Sequence, residues 1–410
     1  MKKESFRWLV VIGALIIQLC LGAIYSWSVF VNPLKEAYGF TTTQTQIIFS
    51  VALATFAITM VYAGRCQDKV GPRKIAMIGG LLLGMGYMAA RFAGSSFSGY
   101  LLTIGVIGGA GLGFGYVCPI AACVKWFPDK RGLITGLAVA GFGAGAWLFA
   151  QIASNLMESI GIPATFMTLG IIFLIAIFFS SLLLVNPPEA WVPKGFKVEK
   201  KKAKAAVNFT ARQMLKTKQF WFLWLMFTFA ASAGLMVIGN LKPFGINSGL
   251  TAALAGSAVG ILALFNGAGR ITWGFLSDKI GRTRAMTFMF ILQGMMMLIL
   301  IKMGATPLTL AIAAAWVGFN FGGNFALFPS ATADFFGTKN LGINYGWVFT
   351  SYGVAGILGP ILGGRIFDLT GSYLYAFMPS GILCILAAGL AIATKRPAAQ
   401  AAASAKAAPD

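Results

Sequence analysis

The stretch Gly64-Arg65-Cys66-Gln67-Asp68-Lys69-Val70-Gly71-Pro72-Arg73-Lys74 returns 210 residues later as Gly274-Phe275-Leu276-Ser277-Asp278-Lys279-Ile280-Gly281-Arg282-Thr283-Arg284. Both copies keep the frame Gly-x-x-x-Asp-Lys-x-Gly, and both follow one apolar run and precede another. The offset relates Gly132-Leu133-Ile134-Thr135-Gly136 to Gly342-Ile343-Asn344-Tyr345-Gly346, and Phe142-Gly143 to Tyr352-Gly353. Matches at one fixed offset in three separated places mean a duplicated unit. A single Asp-Lys turn would be an ordinary charged connection, whereas two at matched positions mark a repeated functional element.

The runs around these turns are membrane-spanning. Hydrophobic residues make up 58% of the 410 and charged residues 10%, and the mean hydropathy is +0.80, far from the roughly 25% charged content of a soluble domain. At about 20 apolar residues per span, the length allows about a dozen crossings. Hydropathy gives twelve, six in each repeat, so the predicted fold is an all-α membrane protein of two pseudo-symmetric six-helix bundles. Residues 1–185 form the first bundle, 186–219 a basic cytoplasmic linker, 220–393 the second bundle and 394–410 a disordered cytoplasmic tail.

A net charge of +21 does not signal nucleic acid here, because of where the charge lies. Alternate loops and the two termini hold 26 of the 32 Lys and Arg residues. The opposite face holds Lys35, Arg91, Lys242, Lys302 and Arg365, and Arg270 stands inside a span. This is the positive-inside signature and places both termini in the cytoplasm. Lys194, Lys197, Lys200, Lys201, Lys202 and Lys204 crowd the linker, as expected of a solvated segment beside anionic membrane lipids. The first span is too long for a signal-peptide core and lacks a small-x-small cleavage site, so it is expected to stay as a helix. Five cysteines without metal spacing and the absence of histidine predict no metal site and no cofactor. No nucleophile, acid pair or Cys-His set stands at mid-membrane, which argues against an enzyme.

Arg270 lies in Ala263-Leu264-Phe265-Asn266-Gly267-Ala268-Gly269-Arg270-Ile271-Thr272-Trp273, with no acid in that span. A charge kept in hydrocarbon is costly and marks a functional site. The repeat pairs Arg270 with Met60 and Asn266 with Phe56, so the first half does without both polar groups. Four residues apart, Asn266 and Arg270 share a helix face. A guanidinium fork grips a carboxylate through two parallel hydrogen bonds, and the amide supplies a further donor, so a small carboxylate anion is the expected ligand. Snorkelling of Arg270 to the interface is the competing explanation. Tyr25, Trp27, Tyr116, Phe321, Asn324, Phe325 and Tyr352 are the candidate lining, with Tyr116 paired to Phe325 at an offset of 209. Asp68, Lys69 and Arg73, with Asp278, Lys279 and Arg282, are the charged residues of the two repeated turns.

The duplicated Asp-Lys loop resembles the signature of the major facilitator superfamily, which implies alternating access around a site between two bundles. The stretches Tyr25-Ser26-Trp27 with Asn32-Pro33, Lys125-Trp126-Phe127-Pro128-Asp129-Lys130-Arg131-Gly132, Ala326-Leu327-Phe328-Pro329-Ser330 and Asp334-Phe335-Phe336-Gly337 resemble its oxalate/formate antiporter family, with monocarboxylate porters more distant. The resemblance implies a bacterial inner (plasma) membrane protein, functional as a monomer, and makes Asp68, Lys69, Arg73, Asp278, Lys279 and Arg282 of the two turns the candidate gate, whose aspartates accept from helix N-termini and basic side chains. It makes Arg270 the substrate-binding arginine of the eighth span. Dicarboxylate carriers of that family add a lysine on the eleventh span, where this chain has Tyr352. Monocarboxylate porters have an acid four residues before the arginine, where this chain has Asn266. One fixed cation suits a monovalent acid of the lactate/pyruvate class, since a dianion would keep an uncompensated charge. Proton symport and anion exchange both stand open. An oxalate/formate-type dicarboxylate antiporter and a carboxylate sensor of the same fold are the alternatives.

Overall fold

The computed structural model describes residues 3–188, 193 and 208–397, and among them it is helical throughout with no strand. In chain order the helices are α1 (Lys3–Gly22), a 3₁₀ turn Ala23–Ser26, α2 (Ser28–Tyr38), α3 (Thr42–Val70), α4 (Pro72–Ala90) and α5 (Phe97–Tyr100). A π-helical stretch, Leu101–Gly108, leads into α6 (Gly109–Trp126), and α7 covers Arg131–Ser181. Then come α8 (Ala211–Leu215), α9 (Lys218–Asn247), α10 (Ala252–Ile280), α11 (Arg282–Met303), α12 (Pro307–Phe336), α13 (Leu341–Thr370) and α14 (Leu374–Ala393). Most of the basic linker and the tail beyond 397 lie outside the described residues.

Among the described residues nine helices are long and apolar enough to cross a membrane. The difference from twelve has three sources. The 51-residue α7 holds two of the expected spans, broken at Gly161, where φ is 77° and ψ 169°. The glycine-rich α4, 19 residues long, and α13 supply the other two. Large apolar side chains on these helices stand exposed, among them Ile58 at 70%, Leu264 at 72% and Ile392 at 70%, as a lipid-facing surface requires.

The duplication is written into the backbone. Gly71 and Gly281 close the two Asp-Lys turns with φ of 96° and 94°, and their N–H groups donate to Gln67 O and Ser277 O. A side chain at that φ is strained, which is why the frame ends in glycine. Gly39 and Gly249, and Gly161 and Gly371, are further pairs with positive φ at the same offset. So are the N-caps: Thr41 and Thr251 open α3 and α10, and Ser96 and Thr306 open α5 and α12.

One π-helical stretch slips the register. Leu101–Gly108 takes more residues per turn than an α-helix, so the first repeat has one more residue there than α12 does. Past it the offset is 209. A Cβ on Gly109 would strike Ala52 O and one on Gly113 would crowd Phe56 O; one on Gly318 would strike Leu262 O and one on Gly322 would strike Asn266 O. The register restores 210 at Arg131 and Leu341, which open α7 and α13.

Two compact units result, one of Met1–Trp126 and Ala138–Pro188, the other of Phe127–Leu137 with the rest of the chain. The stretch 127–137, inside the first bundle by sequence, clusters with the second unit because two of that unit's aspartates hold it. In the second unit the apolar core runs through Val237, Phe244, Met297, Val317 and Phe377. Gly322 lets α12 approach α10 at Asn266. Gly322→Leu is expected to destabilise the protein by about 1–3 kcal/mol through overpacking, read as a lower thermal midpoint in detergent.

Candidate substrate site and gate

In the second unit, α10 and α12 touch through glycines, and that approach sets the guanidinium beside an aromatic ring. Arg270 is 0% exposed. Its Nε donates to Asn266 Oδ1 at 2.9 Å, the contact expected one turn apart on a helix. Its Cζ lies 4.4 Å from the centre of the Phe325 ring, a cation–π contact with the charge desolvated. Because the carbonyl end of the Asn266 amide faces Nε, its NH₂ end is turned from the guanidinium. Phe325 meets Tyr352 edge-on at 5.4 Å and Phe321 at 5.3 Å, and Tyr352 rests on Phe349 at 4.9 Å. Arg270, Asn266, Phe325, Phe321 and Tyr352 thus form one buried cluster. Asn324 sits beside it, with Nδ2 donating back to Phe321 O at 3.1 Å.

The first unit carries the apolar version of the same arrangement. Tyr116 meets Phe56 at 5.2 Å and Phe142 at 5.5 Å, and Phe142 meets Tyr25 at 5.1 Å. Under the repeat, Tyr116 corresponds to Phe325, Phe56 to Asn266, Phe142 to Tyr352 and Met60 to Arg270. Phe142 was not among the candidate residues, although its pairing with Tyr352 was the available signal. Trp27 stands apart from this cluster: its Nε1 donates to Thr45 O at 3.0 Å and its ring stacks on Phe30.

The second Asp-Lys turn is an ion network. Asp278 accepts from the N–H groups of Gly132 at 2.9 Å and Leu133 at 2.8 Å, in the first turn of α7. A carboxylate there satisfies donors that have no intrahelical partner and faces the positive end of the helix dipole. Arg282 ties the motif inward, with Nη2 at 2.6 Å from Asp278, Nε at 2.8 Å from Asp334 and Nη1 donating to Ser277 Oγ. Arg131 completes it, its Nη1 2.6 Å from Asp334 Oδ1. Asp334 and Arg131 were missed as gate candidates; they lie 203 residues apart in sequence, and only the stretches carrying the family resemblance pointed to them. Lys279 is exposed and covers the Phe275 ring at 4.4 Å. In the first turn Gln67 Nε2 donates to Asp68, and Lys69 and Arg73 are exposed.

The Major Facilitator Superfamily model matches residues 12–269 and 229–409. The chain belongs to that superfamily. Its superfamily relatives include the Oxalate:formate antiporter of Oxalobacter formigenes, 33% identical over 387 residues, covering 94% of this chain and 90% of that protein. They also include Apicoplast pyruvate carrier 1 of Toxoplasma gondii, 25% identical over 452 aligned positions, covering 84% and 81%. The solved structure of the superfamily transporter FucP in its outward conformation shares the fold, with a TM-score of 0.71 at 16% identity over 94% of this chain and 99% of that one. As a superfamily member this is an integral membrane transporter and not an enzyme, and the twelve-helix major facilitator fold accounts for its helices.

Proposed function

We propose that the protein moves a small monocarboxylate of the lactate/pyruvate class across the bacterial inner membrane by alternating access, with both termini cytoplasmic. The observation that carries this is the buried Arg270 with Asn266 on its Nε. The guanidinium of Arg270 grips the carboxylate, and the Asn266 NH₂ donates to a further oxygen of the same acid. Phe321 and Phe325 form the apolar wall for a short carbon chain, and Tyr352 offers a neutral donor. Tyr116 and Tyr25, in the first unit, are further substrate contacts of this reading. Asn266 and Tyr352 cannot neutralise a second negative charge, which sets the preference for monovalent acids. Asp278, Arg282, Asp334 and Arg131 act as a latch made and broken during the cycle, and Asp68 is its counterpart in the first repeat.

The 33% identity to an oxalate:formate antiporter favours a second reading, in which dicarboxylates are the cargo. Counterflow in proteoliposomes separates the two. Wild type is expected to exchange labelled pyruvate or lactate and to discriminate against oxalate by about tenfold or more, the equivalent of about 1.4 kcal/mol. Tyr352→Lys is expected to reverse that preference by adding a second cation. Oxalate exchange exceeding that of every monocarboxylate in the wild type would establish the second reading. An imposed pH gradient reads the coupling: accumulation driven by the gradient means proton symport, and insensitivity to it means anion exchange.

A further inference from the structure

Three side chains of the second unit are buried where three helices meet, with polar atoms that find no partner among the described residues. Gln293 on α11 is 3% exposed, and neither its Oε1 nor its Nε2 is hydrogen-bonded; Asn320 Oδ1 on α12 and Trp273 Nε1 on α10 are in the same condition, at 2% and 4%. Buried polar groups of this kind are rare and call for an explanation.

Helix packing brings them to one junction. A Cβ on Gly323 would press on Met289 Sδ and on the Trp273 indole, so α10, α11 and α12 converge at that level. Trp316 Nε1 donates to Leu292 O at 2.9 Å, and this contact together with Gly323 against Met289 shows that α11 and α12 run antiparallel and fixes their register. Gln293 lies one turn beyond Met289, and Asn320 nearly one turn before Gly323, so the two amides stand opposite each other. The repeat gives the same result independently. Their first-unit counterparts are Leu83 and Gly111, and a Cβ on Gly111 would run into the Leu83 backbone. Trp273 corresponds to Ala63. The first unit therefore closes this helix junction with Leu, Gly and Ala, so the fold itself does not require polar groups there.

We propose that Gln293, Asn320 and Trp273 form a buried water site between α10, α11 and α12. The chemistry specifies the ligand: two acceptors, Gln293 Oε1 and Asn320 Oδ1, and two donors, Gln293 Nε2 and Trp273 Nε1, suit a small neutral molecule that both donates and accepts. The site lies on the helix that carries Arg270, three residues further along it. Bridging water joins α10 to its neighbours by hydrogen bonds that can re-form after a displacement, where the first unit has interlocked backbone. This goes beyond the carboxylate reading and does not depend on the cargo.

Radiolytic hydroxyl footprinting of the full-length protein in nanodiscs tests it, because hydroxyl radicals form at bound water and oxidise adjacent side chains. Met289 and Met226 are both 0% exposed. Met289 and Trp273 are expected to oxidise several-fold faster than Met226. The variant carrying Gln293→Leu and Asn320→Gly, which restores the first-unit residues, is expected to bring Met289 to the Met226 rate, and the single Gln293→Met variant to lower it by part of that amount. Equal protection of Met289 and Met226 in wild type would overturn the proposal, as would a Met289 rate unchanged in either variant. Transport activity need not be measured, so failure of this test is separate from failure of the carboxylate reading.

Discussion

Arg270→Gln is expected to abolish carboxylate counterflow while leaving the protein folded. Truncating one partner of a buried, hydrogen-bonded charge pair costs about 2–5 kcal/mol, which at tenfold per 1.4 kcal/mol is about 30-fold to several thousand-fold in affinity. The glutamine keeps much of the side-chain volume and removes the buried charge. Arg270→Lys is expected to restore only part of the activity, because an ammonium keeps the charge but not the planar fork that Asn266 orients at 2.9 Å. Flux in reconstituted vesicles, with the thermal midpoint of each variant as the folding control, checks both. A Gln variant that transports at the wild-type rate would show that Arg270 serves helix packing.

Asp334→Asn is expected to have the second largest effect, and it acts on stability as well as on transport. One carboxylate holds Arg131 at 2.6 Å and Arg282 at 2.8 Å, and its side chain is only 12% exposed. The amide leaves two guanidinium groups facing a neutral partner, and breaking a buried pair in this way costs about 3–5 kcal/mol. Arg282 keeps Asp278, so the loss should fall toward the lower end. Thermal unfolding in detergent measures the drop, and transport at saturating substrate shows whether the latch also limits turnover. A midpoint within one degree or so of wild type would mean that the network contributes little. Arg131→Lys separates the two contributions, since it retains charge at one corner and leaves the Arg282 contacts in place.

The architecture was legible because duplication leaves two independent records of one design. The 210-residue offset predicted from the Asp-Lys turns reappears in positive-φ glycines and N-caps that no motif had singled out, such as Gly39 with Gly249 and Ser96 with Thr306. The neighbourhood of Arg270 with Asn266 was legible from helical spacing alone. Other features were not. The offset of 209 between Tyr116 and Phe325 was visible, but its cause, a π-helical stretch, depends on backbone hydrogen bonds that composition does not reveal. Phe56 and Phe142 were passed over because aromatics make up 13% of the chain and their frequency hides the few that matter. Arg131 and Asp334 come from opposite halves of the sequence, and no local pattern joins them. Gln293 carries no motif, and only its counterpart Leu83 shows what that position needs for packing alone.

The most direct measurement is equilibrium binding of pyruvate and oxalate to the purified transporter by isothermal titration calorimetry, for wild type and Arg270→Gln. The proposed site predicts pyruvate binding to wild type, weaker binding of oxalate, and no detectable binding of either to the folded variant. Undiminished pyruvate binding by Arg270→Gln, or tighter binding of oxalate than of pyruvate by wild type, would contradict a monovalent site built on a single buried arginine.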